Sequence, residues 1–285
     1  MASLGWKTIL AVVVASALVA CAASKAGDSG LPKTDAATSN AIDAALAGAH
    51  RSDANKARDA YRHPKETLTF FGLRRDMTVV ELWPGTGGWY TEVLGPVLKD
   101  QGTLYAAHVD PVDAPQNARD GLATYKAKLA ANPEVYGNVH VTVLWGKGAD
   151  IAPPGSADMV VTFRNIHNWM GRGWAPEAFA AAYKALKPGG VFGVEEHRGN
   201  PAVPQDPKAA NGYVNEDYAI KLIEAAGFKL VDRSEINANP KDTKDYEKGV
   251  WTLPPNYRLG DVDRAKYAAI GESDRFTLKF VKPAS

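Results

Sequence analysis

The chain has 285 residues, of which 45% are hydrophobic and 23% charged, and its formal net charge is +1. These values are ordinary for one large globular domain or two small ones. With 33 basic against 32 acidic side chains there is no net basic field, and no nucleic-acid partner is expected.

The first feature in chain order is Lys7 followed by the uncharged run ILAVVVASALVA, Ile9–Ala20. A spanning helix needs about 20 apolar residues, so this shorter run reads as a signal peptide over residues 1–20. The stretch LVAC, Leu18–Cys21, resembles a bacterial lipobox. That resemblance implies lipidation of Cys21 and, with Ala22 next, export to the periplasmic face of the outer membrane. Cys21 is the only cysteine, so the chain forms no intrachain disulfide. Residues 21–40 are small and polar and are expected to form a flexible tether, with the folded domain over 41–285.

From Ala41 to His63 the Ala-, Arg- and Asp-rich sequence predicts helix, and HPKETLTFFGL predicts a second one stopped by Gly72. Strands and helices then alternate. The strands are MTVVELW, GTLYAAHVD, NVHVTVLW, ADMVVTF, VFGVEE, FKLVDRSEI and DRFTLKFVKP. Between them, helical spacing links Trp89, Val93 and Val97, then Ala118, Leu122, Tyr125 and Leu129. It also links Phe179, Ala182, Tyr183 and Leu186 ahead of KPGG, with Lys184 and Lys187 in the last turn. Asn215 caps a helix that Gly227 ends. Apolar central strands alternating with helices predict an α/β sheet, mostly parallel and doubly wound. Asn237–Ser273, with Trp251, is either irregular packing at the sheet edge or part of a lid.

The turn ELWPGTGGWY, Glu81–Tyr90, follows the first strand and opens a helix, an arrangement that presents free amides to a ligand. It lacks the Gly-Lys-Ser/Thr of a phosphate-binding loop. A dinucleotide fingerprint needs a glycine where Tyr90 stands, which makes a nicotinamide oxidoreductase a poor match. VVELWPGTGGWYTEVL resembles the first motif of class I S-adenosylmethionine-dependent methyltransferases. GADIAPPGSADMVVTF, LKPGGVFGVEE and LIEAAGFKLV resemble the approaches to that family's fourth, fifth and sixth strands. The likeness runs from about Tyr61 to Pro283. HPKETLTFFGL, PGTGGWYTEVL and SDRFTLKFVKP are similar to a group of bacterial proteins known only as predicted methyltransferases. One departure is Trp83, where the family usually has glycine.

The resemblance implies a Rossmann-like, doubly wound, mostly parallel seven-stranded sheet with an antiparallel last strand, and S-adenosylmethionine as cofactor. Carried onto this sequence, it places Pro84, Gly85, Thr86 and Gly87 against the amino-acid end of the ligand. Glu81 orders the loop or meets the ligand's ammonium group. Asp110 and His108 compete for the ribose hydroxyls, and Ala149 and Asp150 match the adenine contact. The acceptor would sit at the ends of the fourth and fifth strands, FRNIHNWM and EEHRGN. There Asn165, His167 and Asn168 face Glu196 and His197, with either histidine as base. Asn165 also counts toward the cofactor. Glu195 and Glu196 should point to opposite faces, and only one should face the site. His167, Glu196 and His197 form a lesser metal-ligand alternative. Tyr213 and Trp251 are candidate wall residues. The function implied is methyl transfer to a small-molecule acceptor. The alternative is an extracytoplasmic binding lipoprotein that keeps the fold without the chemistry.

Overall fold

The computed structural model describes residues 1–2, 30–144 and 150–284. The signal-peptide run, Cys21, Ala149 and the first part of the expected tether, residues 21–29, lie outside the described residues. The chain divides into Met1–Leu31 and Pro32–Ser285, and every element below belongs to the second unit. Among the described residues, no helix is long and apolar enough to cross a membrane.

Seven strands form one sheet: β1 (Thr78–Leu82), β2 (Thr103–His108), β3 (Val139–Val143), β4 (Ala157–Phe163), β5 (Leu186–His197), β6 (Lys229–Ser234) and β7 (Arg275–Val281). Their order is β3-β2-β1-β4-β5-β7-β6. Strands β1 to β5 pair in parallel, while β7 runs antiparallel to both β5 and β6. The expected mostly parallel sheet with a reversed last strand is therefore the observed one. Alternation along the strands feeds two cores. Val80, Leu82, Val160 and Phe192 join one face, and Val79, Val161 and Val191 join the other.

The helices that follow the strands are α5 (Thr91–Leu98), α6 (Gln116–Ala131), α8 (Ile166–Arg172), α9 (Ala175–Ala185) and α10 (Glu216–Ala225). Short helices α7 (Pro133–Tyr136) and α11 (Arg264–Ile270) were not expected from the sequence pattern. Strand β5 starts at Leu186, so Lys187 is a strand residue and only Lys184 stays in the last turn of α9.

The N-terminal region departs from expectation at both ends. Helix α1 (Ala36–Ala47) begins before Asn40, where a flexible tether was expected, because the Asp35 carboxylate accepts the Thr38 N–H at 2.6 Å. The single helix expected over Ala41–His63 is instead α1, α2 (Asp53–Lys56) and α3 (Asp59–Arg62), ahead of α4 (Pro64–Phe71). Gly48 caps α1 and Ser52 caps α2. The turn between them brings the buried Arg51 guanidinium onto the Asp59 carboxylate, with both contacts at 2.7 Å, and within 3.4 Å of Glu92.

The segment Asn237–Ser273 is mostly irregular, with a 3-10 turn at Gly249–Thr252 and then α11. Val250, Thr252 and Leu253 are buried, and Trp251 reaches the histidine cluster described below.

Candidate active site

The carboxyl ends of β1, β2, β4 and β5 lie side by side, and the sequence places its candidate residues there. Behind β1, Gly85 adopts φ +71 and Gly88 φ +55. These glycines serve different ends. A Cβ on Gly88 would lie 2.6 Å from the Tyr125 ring, so close packing requires that glycine. A Cβ on Gly85 or Gly87 would meet nothing within 4 Å. The backbone there is open to a ligand.

Glu81 is buried and accepts the Thr91 hydroxyl at 2.6 Å, and that hydroxyl lies 3.1 Å from Tyr125 Oη. It thus ties β1 to the first turn of α5. Burial pushes its carboxyl up to about 7 from the usual 4.5. The folded state holds this proton more tightly than the unfolded chain does. Its contribution to stability is therefore complete below pH 4.5 and is lost as pH rises toward 7. Between pH 5 and 8 the wild type should lose up to about 3 kcal/mol relative to Glu81→Gln. Urea unfolding of both proteins at the two pH values checks this, and parallel pH dependences would refute it.

Trp83, the departure from the resembled motif, has a backbone φ of +48, in the region that favours glycine. Left-handed backbone costs a non-glycine residue about 1 kcal/mol. The indole offsets this by stacking on Trp174 at 5.8 Å, with the Arg172 guanidinium 5.3 Å from its ring. Pro84 is half-buried, while Thr86 and Gly87 are exposed.

At the end of β2, His108 is buried. Its Nδ1 accepts the Val109 N–H at 2.8 Å, and its Nε2 has no hydrogen-bond partner. Burial pushes its pKa down to about 4, partly opposed by the Gly85 backbone. Asp110 follows, with Oδ1 accepting the amides of Val112 (2.6 Å) and Asp113 (3.0 Å). Asp150 is exposed and pairs with Lys184 at 2.8 Å, on the side of α9.

Asn165 holds the strand ends together. Its Nδ2 donates to the carbonyls of Leu82 (2.9 Å) and Trp83 (3.3 Å) and to Thr162 Oγ1 (3.2 Å). These contacts make it a positioning residue for the glycine turn.

Glu195 and Glu196 do point to opposite faces. Glu196 is the one among the histidines: Oε1 lies 3.0 Å from His167 Nδ1 and accepts the His197 N–H at 2.7 Å, while Oε2 accepts the His167 N–H at 3.2 Å. Asn168 Nδ2 lies 3.0 Å from His167 Nε2. A carboxylate on one side and an amide donor on the other assign the His167 proton to Nδ1 and leave Nε2 as acceptor. The His197 ring lies 5.3 Å from that of His167, with its Nδ1 2.6 Å from Ser273 Oγ. Burial, then His167 and nearby arginines, push the His197 pKa well below its usual value. Trp251 packs edge-on against His167 at 6.0 Å, and Tyr213 against His197 at 6.5 Å.

One ligand atom from each of His167, Glu196 and His197 lies within 4.8 Å of the others. Both Glu196 oxygens are already engaged by backbone amides and His167, which suits a hydrogen-bonded dyad better than a metal centre.

Glu195 faces the other way, into a group the sequence reading missed. Arg164 Nη1 and Arg275 Nη1 contact its Oε1 at 3.0 and 3.1 Å, and the Tyr90 hydroxyl donates to Oε2 at 3.2 Å. Glu272 binds Arg58, Arg62 and Arg275. Arginines drawn from α3, the end of β4 and the start of β7 carry no short-range signal. Arg164 and Arg275 stand inside FRNIHNWM and DRFTLKFVKP, whereas Arg58 and Arg62 lie in a stretch read only as helix.

Solved structures with the same architecture settle the fold. A methyltransferase from Aquifex aeolicus, described as dependent on S-adenosylmethionine, aligns with TM-score 0.53 at 15% identity, over 79% of this chain and 93% of its own. The fold is the class I methyltransferase fold. The [4+2]-cyclase SpnF aligns with TM-score 0.56 at 15% identity, over 90% of this chain and 100% of its own. Phosphoethanolamine N-methyltransferase 2 of Haemonchus contortus, solved with S-adenosylmethionine, aligns with TM-score 0.50 at 16% identity, over 78% of this chain and 53% of its own. No family model and no curated protein sequence matches the chain. A neighbour named as a cyclase shows that this fold does not by itself dictate methyl transfer, so function has to be argued from the site.

Proposed function

We propose that the chain binds S-adenosylmethionine at the glycine turn and methylates a small-molecule acceptor held near the ends of β4 and β5. The observation that carries this reading is the open backbone at Gly85 and Gly87, placed directly behind β1 of a methyltransferase-type sheet. The turn would hold the ligand's amino-acid end, and His108 and Asp110 stand at the neighbouring strand end for its ribose. Bound there, S-adenosylmethionine supplies an electrophilic methyl group. The chain's own tasks are to orient the acceptor, exclude water and remove a proton where the nucleophile carries one. His167 Nε2 is the atom suited to that proton once the acceptor displaces Asn168 Nδ2 from it, since Glu196 on Nδ1 stabilises the imidazolium that forms. The chain lacks an Asp/Asn-Pro-Pro-Tyr/Phe segment behind β4, which favours oxygen, carbon or sulfur acceptors.

Lipidation of Cys21 would place this activity outside the cytoplasm. Cys21→Ser should then move the protein from the membrane fraction to the soluble fraction, and unchanged fractionation would refute the anchor. The test of methyl transfer is release of S-adenosylhomocysteine from S-adenosylmethionine in the presence of a small-molecule extract. Release that requires His167 supports turnover. Cofactor binding without release would favour the binding-lipoprotein alternative.

A further inference from the structure

Beside the glycine turn the charges do not balance. Arg58, Arg62, Arg164 and Arg275 share two carboxylates, Glu195 and Glu272, and among the described residues no other carboxylate pairs with these arginines. Glu195 and Glu272 are 0% and 5% exposed, and Arg275 is 1% exposed with its Nε unpartnered. Burial, then Arg164, push the Arg62 pKa down to about 9, which leaves it charged at neutral pH. The group is thus two charges more positive than negative in a place where uncompensated charge is costly.

The four arginines differ in what they can reach. Arg62 and Arg275 are closed in, and Arg58 sits at the outer rim on Glu272. Arg164 commits Nη1 to Glu195 and also lines a small cavity with Glu81, Trp83, Trp89, Tyr90 and Asn165; the Glu81 carboxyl there is turned to the Thr91 hydroxyl and, raised to about 7, gives up its charge readily. That cavity has a volume of about 30 Å³, room for the oxygens of one anionic group and not for a whole ligand. Trp89 is braced from behind by the Arg62 guanidinium, 4.7 Å from its ring centre, and Tyr90 stacks on Phe163 at 3.4 Å, so the walls are fixed.

We infer that this cavity is an oxyanion seat, in which Arg164 binds a carboxylate or phosphate group of the ligand and neutralises part of the buried positive excess. The inference deepens the proposed function and rests on it only for the ligand's identity. The anion is either the carboxylate of the cofactor's amino-acid end or an acidic group on the acceptor. The Arg164 side of the cavity attracts an acidic group, and Glu81 on the other side can take up a proton to accommodate it.

The test uses the full chain with sodium acetate and inorganic phosphate as probes, against chloride at fixed ionic strength, read by tryptophan fluorescence and thermal midpoint. Acetate or phosphate should bind saturably to the wild type. Binding should be at least about ten-fold weaker in Arg164→Gln and partly restored in Arg164→Lys. Arg275 still pairs with Glu195 in both variants. S-adenosylhomocysteine and 5′-methylthioadenosine then separate the sources. Displacement of acetate by the first alone assigns the seat to the cofactor's carboxylate. Acetate bound together with S-adenosylhomocysteine assigns it to the acceptor. Acetate binding in a protein that ignores S-adenosylhomocysteine would end the methyl-transfer reading and leave the seat standing. No saturable response to acetate or phosphate, or an equal response in Arg164→Gln, would overturn the seat.

Discussion

Glu195→Ala is expected to lower the free energy of unfolding by about 3–5 kcal/mol, the loss typical of a buried ion pair broken on one side. The carboxylate is 0% exposed and is the acidic partner of Arg164 and one of two for Arg275. Removing it leaves Arg164 with no paired carboxylate and strips Tyr90 of its side-chain acceptor, while Arg62, Arg58 and Arg275 remain gathered on Glu272. Urea unfolding at pH 7 measures the change. A loss below about 1 kcal/mol would show that the arginine group is solvated and the electrostatic account is wrong.

The second large effect is on rate. His167→Ala should reduce S-adenosylhomocysteine release by about 10²–10⁴-fold, the usual worth of a positioned general base. Glu196→Gln should give a smaller loss, because Nε2 survives while the partner that orients Nδ1 changes from carboxylate to amide. Neither substitution should weaken cofactor binding, since both residues lie on the β4–β5 side of the site. Rates within a few-fold of wild type in His167→Ala would remove the histidine from the chemistry.

Much of the scaffold was legible because the signals were local and redundant. ADMVVTF reads as a buried strand on its apolar content alone, and Ala157–Phe163 is that strand. Strict alternation separates Glu195 from Glu196, and the structure puts them on opposite faces. The glycine turn was legible as a ligand-facing backbone. The different duties of Gly87 and Gly88 were not, because the Tyr125 ring that crowds Gly88 comes from α6.

The failures share a physical cause. Asn165 sat in a polar strand-end motif and was assigned to both acceptor and cofactor, but the sequence did not show that its amide donates to carbonyls of β1 and the turn, partners about 80 residues away in the chain. Arg58 and Glu272, one edge of the arginine group, are 214 positions apart. The Ala-rich stretch after Ala41 favours helix by propensity at nearly every position. Its breaks at Gly48 and Ser52 are fixed by Arg51 turning inward to Asp59 and Glu92, a tertiary effect that overrides propensity.

The most direct test of the central claim is calorimetric titration of the chain with S-adenosylhomocysteine, alongside Gly87→Val. Gly87 lies outside the left-handed region, and a Cβ there meets nothing within 4 Å, so the variant should fold as the wild type does. The account predicts saturable one-site binding in the wild type that is lost in Gly87→Val. A folded wild-type protein that takes up no S-adenosylhomocysteine, or a Gly87→Val variant that binds it equally well, would contradict the assignment of the glycine turn to this cofactor.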